Sequence, residues 1–139
     1  MERVLLALAI VAVAGVVAVV ARRRRQPDAP TQPRYHTPQQ LDRADFPHAD
    51  HEWLLVAFTS ATCHTCADVV AKAAVAASGV VGFAEIEYNV HRALHSRYQI
   101  DAVPTLLLAD RQGVVKAAYL GRVTATDLWA DIATARESN

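Results

Sequence analysis

The sequence predicts an α/β sandwich built around four strands and preceded by one transmembrane helix. Two observations predict the sandwich: an apolar run of strand length at residues 53–58, and an alanine-rich segment at residues 67–78 that contains neither proline nor glycine. An unbroken run of 18 apolar residues at positions 4–21 predicts the membrane helix. The chain of 139 residues therefore leaves room for one small globular domain.

The apolar run at residues 4–21 would be about 27 Å long as a helix, which approaches the hydrocarbon thickness of a bilayer. A cleavable signal peptide would have a shorter apolar region with its positive charge mostly in front. Here four arginines follow at positions 22–25, and such clusters stay on the cytoplasmic side. We therefore expect residues 1–25 to be a single-pass anchor in the cell membrane that contacts lipid through residues 4–25, with the domain on the cytoplasmic side.

The charge is unevenly distributed along the chain. Five arginines and Glu2 give residues 1–25 a charge of +4, and because the whole chain is neutral, the remainder carries −4. The dense basic run adjoins an apolar segment and is not interleaved with aromatic residues, which argues against nucleic-acid binding. Residues 26–38 contain four prolines, which predicts a short extended tether, and the folded domain is expected at residues 39–139.

The first half of the domain is predicted to alternate strands and helices. Residues 53–58 are typical of a strand covered on both faces, which should lie centrally in its sheet. After two cysteines, residues 67–78 predict a helix that stops at Gly79. Residues 80–90 predict a second central strand, and residues 91–99 predict a short helix.

The second half is predicted to contain a hairpin and a closing helix. Residues 105–109 and 114–120 predict the third and fourth strands, joined by a turn at Gly113. Thr124 or Thr126 can cap the closing helix. Its apolar side chains are expected to face the sheet, and they are Leu128, Trp129 and Ile132.

Two cysteines, Cys63 and Cys66, are too few for a disulfide framework, and their spacing suits either redox chemistry or half of a metal site. A cysteine at the first turn of a helix meets a partial positive charge, which favours the thiolate, and a partner three residues on is within bridging reach. Cys63 is therefore the predicted nucleophile and Cys66 the predicted resolving thiol.

The order of strand, cysteine pair and helix resembles the thioredoxin family, from about residue 36 to the C-terminus. Four features carry the resemblance: Val-Ala-Phe at 56–58, Cys-His-Thr-Cys at 63–66, Tyr-Gln-Ile-Asp-Ala-Val-Pro-Thr at 98–105, and Gly121. The resemblance implies a three-layer sandwich with a central mixed sheet. It also implies that the redox-active Cys63–Cys66 disulfide serves as the reacting group without a further cofactor.

The same resemblance implies a substrate groove beside the cysteines. Pro104 would be the family's cis-proline and would face the cysteine pair. The backbone of Val103 would then be free to pair with an extended substrate peptide, and Gly121 would border the same groove.

The sequence also departs from the family pattern, because thioredoxins have Trp-Cys-Gly-Pro-Cys. Here Thr62 replaces the tryptophan, and His64 and Thr65 replace Gly-Pro. A protonated His64 would stabilise the thiolate and so make the couple a better oxidant, whereas an exposed side chain would have little effect.

The family's buried aspartate and its lysine partner fall at Ala57 and Glu85, so the usual proton acceptor is absent. Glu85 could approach Cys66 as a replacement base, or it could be a solvated carboxylate at a strand edge. The candidate residues for tuning the site are therefore His64, Thr65 and Glu85.

These observations predict a thiol–disulfide oxidoreductase that exchanges its dithiol with protein disulfides near the membrane. A thioredoxin reductase or another dithiol donor would supply electrons, and a cytoplasmic location implies net reduction. Two alternatives stay open: a module that handles copper or zinc through Cys63, Cys66 and His64, and a peptide-binding adaptor of low turnover. Two histidine pairs are expected to be surface residues: His48 with His51, and His91 with His95.

Overall fold

The structure is a computed structural model, and it describes Met1, residues 13–15 and residues 35–138. The predicted anchor lies outside the described residues except at Met1 and at 13–15, which are helical, and the tether lies outside them up to residue 34. Among the described residues, no helix is both long enough and apolar enough to span a bilayer. The anchor, the tether and their boundaries therefore stay predictions.

Within residues 35–138, four strands form one mixed sheet in the order β2-β1-β3-β4. The central β1 pairs in parallel with β2 and antiparallel with β3, and β3 and β4 form the predicted hairpin. The turn of this hairpin contains Gly113 at φ 81°, a conformation that favours glycine. The strands are β1 (Trp53–Thr59), β2 (Val81–Glu87), β3 (Thr105–Ala109) and β4 (Val115–Leu120).

The two strands predicted to be central have different positions. All seven residues of β1 are buried, so the prediction for its apolar run is confirmed. The second prediction is wrong, because β2 lies at an edge of the sheet formed by the described residues. Its burial is interrupted where Glu85 is exposed and Glu87 is half-buried, and an edge strand tolerates such charges because one of its sides has no neighbouring strand.

Three α-helices and a short 3-10 helix accompany the strands in the described part of the domain. The first α-helix ends at Ala76 because Ala77 is extended, so the predicted stop at Gly79 is wrong. At the start of the last helix, Thr124 Oγ1 accepts a hydrogen bond of 3.1 Å from the Asp127 amide, which confirms one of the two predicted caps. The helices are the 3-10 helix Arg43–Asp45, α1 (Cys66–Ala76), α2 (Arg92–Arg97) and α3 (Ala125–Glu137).

Apolar clusters cover both faces of the sheet and give the domain three layers. Helices α1 and α3 cover one face, and their cluster includes Leu55, Ala57, Val69, Ala73, Leu128 and Ile132. Helix α2 and the segment before β1 cover the other face, and that cluster includes Leu41, Phe46, Val56, Leu94, Tyr98 and Leu107. The expectation of an α/β sandwich with a mixed sheet is confirmed.

The two tryptophans lie in different environments. Trp53 in β1 is 1% exposed, whereas Trp129 in α3 is 49% exposed, so the prediction that Trp129 faces the sheet is wrong. The buried residues of α3 are Leu128, Ile132 and Ala135, which follow helical spacing along one stripe. Trp129 is one position away from Leu128, and a step of one residue turns a side chain by about 100° from that stripe.

Candidate active site

Three loops meet at one end of the sheet. The first leaves β1 at Ser60 and carries the cysteines, the second enters β3 after Pro104, and the third leaves β4 at Gly121. Phe58, near the end of β1, pairs with Thr105, the first residue of β3. Thr105 in turn pairs with Leu120, the last residue of β4. The strands therefore bring the predicted cysteine site and the predicted groove to the same end of the sheet.

The two cysteines are joined as a disulfide, with their Cα atoms 5.4 Å apart. Cys66 is the first residue of α1 and is 4% exposed, whereas Cys63 lies just ahead of the helix and is half-buried. The loop is closed by backbone hydrogen bonds from the Cys63 amide to the Ser60 carbonyl at 3.0 Å and from the Cys66 amide to the Cys63 carbonyl at 3.3 Å. The more accessible residue is thus the one that the sequence predicts to be the nucleophile.

A hydroxyl group lies beside Cys63. Thr65 Oγ1 is 3.6 Å from Cys63 Sγ, and a hydroxyl at that distance can donate to a thiolate. Thr65 is also the N-terminal cap residue of α1, but its side chain makes no capping hydrogen bond within the described residues, which leaves the hydroxyl available to the sulfur. His64 is exposed to solvent, and its predicted effect on the thiolate stays a prediction.

The position of the family's buried aspartate is apolar in this protein. Ala57 is 0% exposed, and its partner across the parallel pair is Glu85. The Glu85 side chain is exposed, and its Oε1 accepts a hydrogen bond of 2.9 Å from Thr59 Oγ1. This bond occupies one lone pair of the carboxylate, and the role of Glu85 as a replacement base stays a prediction.

The Val103–Pro104 peptide bond is cis, as the resemblance implied. The Pro104 carbonyl accepts a hydrogen bond of 2.8 Å from the Gly121 amide, so the structure brings these two predicted groove residues together. Gly121 has φ 84°, in the left-handed region that favours glycine. Binding of a substrate peptide by Val103, Pro104 and Gly121 stays a prediction.

Sequence reasoning missed a carboxylate that ties two loops of the site together. Glu87, the last residue of β2, accepts hydrogen bonds from the amides of Ala61 at 3.1 Å, Asn89 at 2.9 Å and Val90 at 3.1 Å. These bonds, above all that from the Asn89 amide, lower the pKa of Glu87 and keep it ionised. We call Glu87 and these three amides the loop clamp, because they connect the cysteine loop to the loop after β2. A strand that ends in an acidic residue directly before a turn was the available signal.

Sequence reasoning also placed His95 wrongly on the surface, because its side chain is 3% exposed. The ring packs edge-on against the rings of Phe58 and Tyr88, with centroids 5.1 and 5.2 Å away. Its Nε2 lies 2.8 Å from the Ile86 carbonyl oxygen. A carbonyl oxygen can only accept, so Nε2 is the donor. The four-residue spacing between His91 and His95 gave no indication that His95 packs against β2.

The sequence profile of the family described as Thioredoxin matches residues 39–134. The chain belongs to the thioredoxin family. A search of curated protein sequences found no match.

Two solved structures are similar to this chain to different degrees. One, described only as the structure of a malarial protein, has a TM-score of 0.55 at 15% identity and covers 60% of this chain and 97% of its own. A mutant thioredoxin from Halobacterium salinarum NRC-1 is 24% identical, with a TM-score of 0.49, and the match covers 58% of this chain and 71% of that one. At 15% identity, the likeness to the malarial protein shows the fold alone.

Family membership and the joined cysteines together indicate a thiol–disulfide redox function, and they support an oxidoreductase activity in general. Within the described part of the chain, no three His, Cys, Asp or Glu side chains are grouped so that they could hold one metal ion. The rings of His48 and His51 do approach within 4.9 Å, and His51 Nδ1 lies 3.2 Å from Asp50 Oδ1.

Proposed function

We propose that this protein is a membrane-anchored oxidoreductase that exchanges its Cys63–Cys66 pair with disulfides of other proteins near the membrane. The observation that carries the proposal is the position of the pair. It lies at the start of α1, at the same end of the sheet as the cis Val103–Pro104 peptide and Gly121.

In the reducing direction, the cycle begins with both cysteines reduced. The Cys63 thiolate attacks one sulfur of a substrate disulfide, so that a mixed disulfide forms and the other substrate sulfur leaves as a thiolate that takes up a proton. Cys66 then loses its proton and attacks Cys63 Sγ, which releases the second substrate thiolate and forms the Cys63–Cys66 disulfide. The substrate gains two electrons and the protein loses two.

The residues around the pair support this cycle in different ways. The N-terminus of α1 favours the thiolate, and the Thr65 hydroxyl at 3.6 Å can donate a hydrogen bond to it. A protonated His64 would add to this effect. Because Ala57 offers no acceptor, the proton of Cys66 passes in this proposal to solvent or to Glu85.

The proposed site for the substrate backbone is the loop before β3. We place an extended segment of the substrate along Val103, with Gly121 on the opposite side of the groove. The hydrogen bond from the Gly121 amide to the Pro104 carbonyl supports this arrangement, because it fixes the two walls relative to each other. No cofactor besides the disulfide is required.

The proposed location is the cytoplasmic face of the cell membrane, supported by the apolar run at residues 4–21 and the arginines at 22–25. On that side thiols are kept reduced, so the pair would act as a reductant and would be reduced again by a thioredoxin reductase or another dithiol donor. Labelling of the reduced cysteines with an impermeant reagent added to intact cells tests the orientation, and labelling of Cys63 would contradict it.

Reduction of insulin disulfides by the purified full chain in mild detergent, with dithiothreitol as donor, tests the function. Turnover above the dithiothreitol background is expected for the wild type. Cys63→Ser should abolish it, whereas Cys66→Ser should accumulate a mixed disulfide with the substrate. Absence of turnover in the wild type would overturn the proposal. Bound copper or zinc that is lost in Cys63→Ser would then indicate metal handling, and substrate binding without turnover would indicate an adaptor.

A further inference from the structure

A cleft with two parts lies beside the proposed substrate groove. The inner pocket has a volume of about 210 Å³ and is lined by Ser60 of the cysteine loop and Val103 of the cis-proline loop. The outer pocket, of about 460 Å³, extends along α2. Four residues line both parts, and they are Tyr88, His95, Ile100 and Asp101. A side chain of a peptide that runs along Val103 could therefore enter the inner pocket directly.

The inner pocket has an acidic character. Among the described residues that line it there is one carboxylate, that of Asp101, and neither lysine nor arginine. The His36 amide lies 3.4 Å from Asp101 Oδ2 in a hydrogen bond, which leaves Oδ1 available to a ligand. Arg92 lines the outer pocket, where its guanidinium covers the Tyr88 ring at 5.3 Å and Nη2 donates to Asn89 Oδ1 at 3.3 Å.

A second acceptor lies in the wall of the cleft. His95 uses Nε2 to donate to the Ile86 carbonyl, so in the neutral ring Nδ1 is an acceptor. Within the described part of the chain, Nδ1 has no hydrogen-bond partner. Because His95 lines both parts of the cleft, we expect a ligand in the cleft to supply a donor to this atom.

We propose that the inner pocket receives a lysine or arginine side chain of the substrate, close to the disulfide that is attacked. Asp101 and His95 are then residues that determine specificity. The cationic head donates to the Asp101 carboxylate and to His95 Nδ1, while the aliphatic stem packs against Tyr88 and Ile100. An acidic side chain would instead meet the like charge of Asp101. This inference rests on the proposed function and names the substrate class of the same site.

Single-turnover reduction of disulfide-bonded peptides by the reduced full chain in detergent tests the inference without an external donor. Each peptide carries Lys, Gln or Glu at one position, up to two residues on either side of the attacked cysteine. At one position we expect the Lys peptide to react about three- to tenfold faster than the Glu peptide at low ionic strength, because Asp101 is exposed and its ion pair is partly screened. The preference should shrink in about 1 M salt, where the Debye length is about 3 Å.

Three variants test whether the preference for the Lys peptide depends on Asp101. Asp101→Asn should remove the preference, and Asp101→Lys should reverse it in favour of the Glu peptide. Glu137→Gln, which removes an exposed carboxylate at the far end of α3, is the matched control and should keep the wild-type preference.

The failures of the two proposals can be told apart. Equal rates for the Lys, Gln and Glu peptides, or a preference that survives Asp101→Asn, would overturn the assignment of the pocket and leave the oxidoreductase proposal intact. Absence of reduction of every peptide by the wild type would overturn both.

Discussion

Introducing a carboxylate at the position of the family's buried aspartate should make the stability of this domain depend strongly on pH. In Ala57→Asp the new side chain replaces one that is 0% exposed, and it lies across the strand pair from Glu85. Desolvation and the like charge both raise the pKa of the introduced carboxyl. A rise of about 2 to 3 pKa units, at about 1.4 kcal/mol each, corresponds to about 3 to 4 kcal/mol.

The direction in which stability changes with pH follows from the linkage between proton binding and folding. Because the folded-state pKa is raised above the unfolded value of about 3.9, the penalty is absent below about pH 4. It grows as the pH rises, and it is complete above the folded-state pKa of about 6 to 7. Urea unfolding of the full chain in detergent, followed by the fluorescence of buried Trp53, measures it at about pH 5 and about pH 8.

Ala57→Asn is the matched control, because its side chain has nearly the same size and no charge. Both variants lose stability from overpacking and from burial of a polar group, but only the aspartate variant should lose more as the pH rises. Equal stabilities of the two variants at about pH 8 would refute the reasoning, because the position could then not be desolvated.

Four further substitutions test the packing, the α3 cap and the loop clamp. Leu128→Ala should lower the free energy of unfolding by about 2 to 5 kcal/mol, because the leucine is fully buried. Trp129→Ala should lower it by less than about 1 kcal/mol, because the tryptophan is half exposed. Equal losses for the two variants in urea unfolding would contradict this. Thr124→Ala should cost about 1 kcal/mol in the same assay through loss of the α3 cap. Glu87→Gln should speed hydrogen exchange at the three amides that the carboxylate holds, because a neutral acceptor binds them more weakly, and unchanged exchange by mass spectrometry would contradict the clamp.

Features of the fold that depend on local sequence were predictable. An apolar run of strand length has to be covered on both faces, and β1 is buried throughout between β2 and β3. The hairpin turn at Gly113 and the Thr124 cap also follow from single residues whose conformations or hydrogen bonds are local. The cis isomer of the Val103–Pro104 bond was accessible only through the resemblance, since local sequence does not fix it.

Features that depend on distant neighbours were not predictable. The run at residues 80–90 is apolar enough for a central strand, but its place in the sheet is decided by which strands pair, and β2 pairs with β1 alone among the described strands. Trp129 is a residue type common in protein cores, yet the buried stripe of α3 is set by the sheet against which the helix packs. His95 is buried because α2 packs against β2, which no spacing of histidines reveals.

The departures from the family motif concentrate on one step of the proposed cycle. The N-terminus of α1 and the Thr65 hydroxyl both favour the Cys63 thiolate, so the first attack does not depend on the missing aspartate. The second attack does, because Cys66 is 4% exposed and Ala57, which stands at the position of the family's buried aspartate, offers no acceptor for its proton. Resolution of the mixed disulfide is therefore expected to be the slower step. A long-lived mixed disulfide makes contacts beyond the cysteines more important, and the acidic pocket beside Val103 is positioned to provide such contacts while the substrate stays attached.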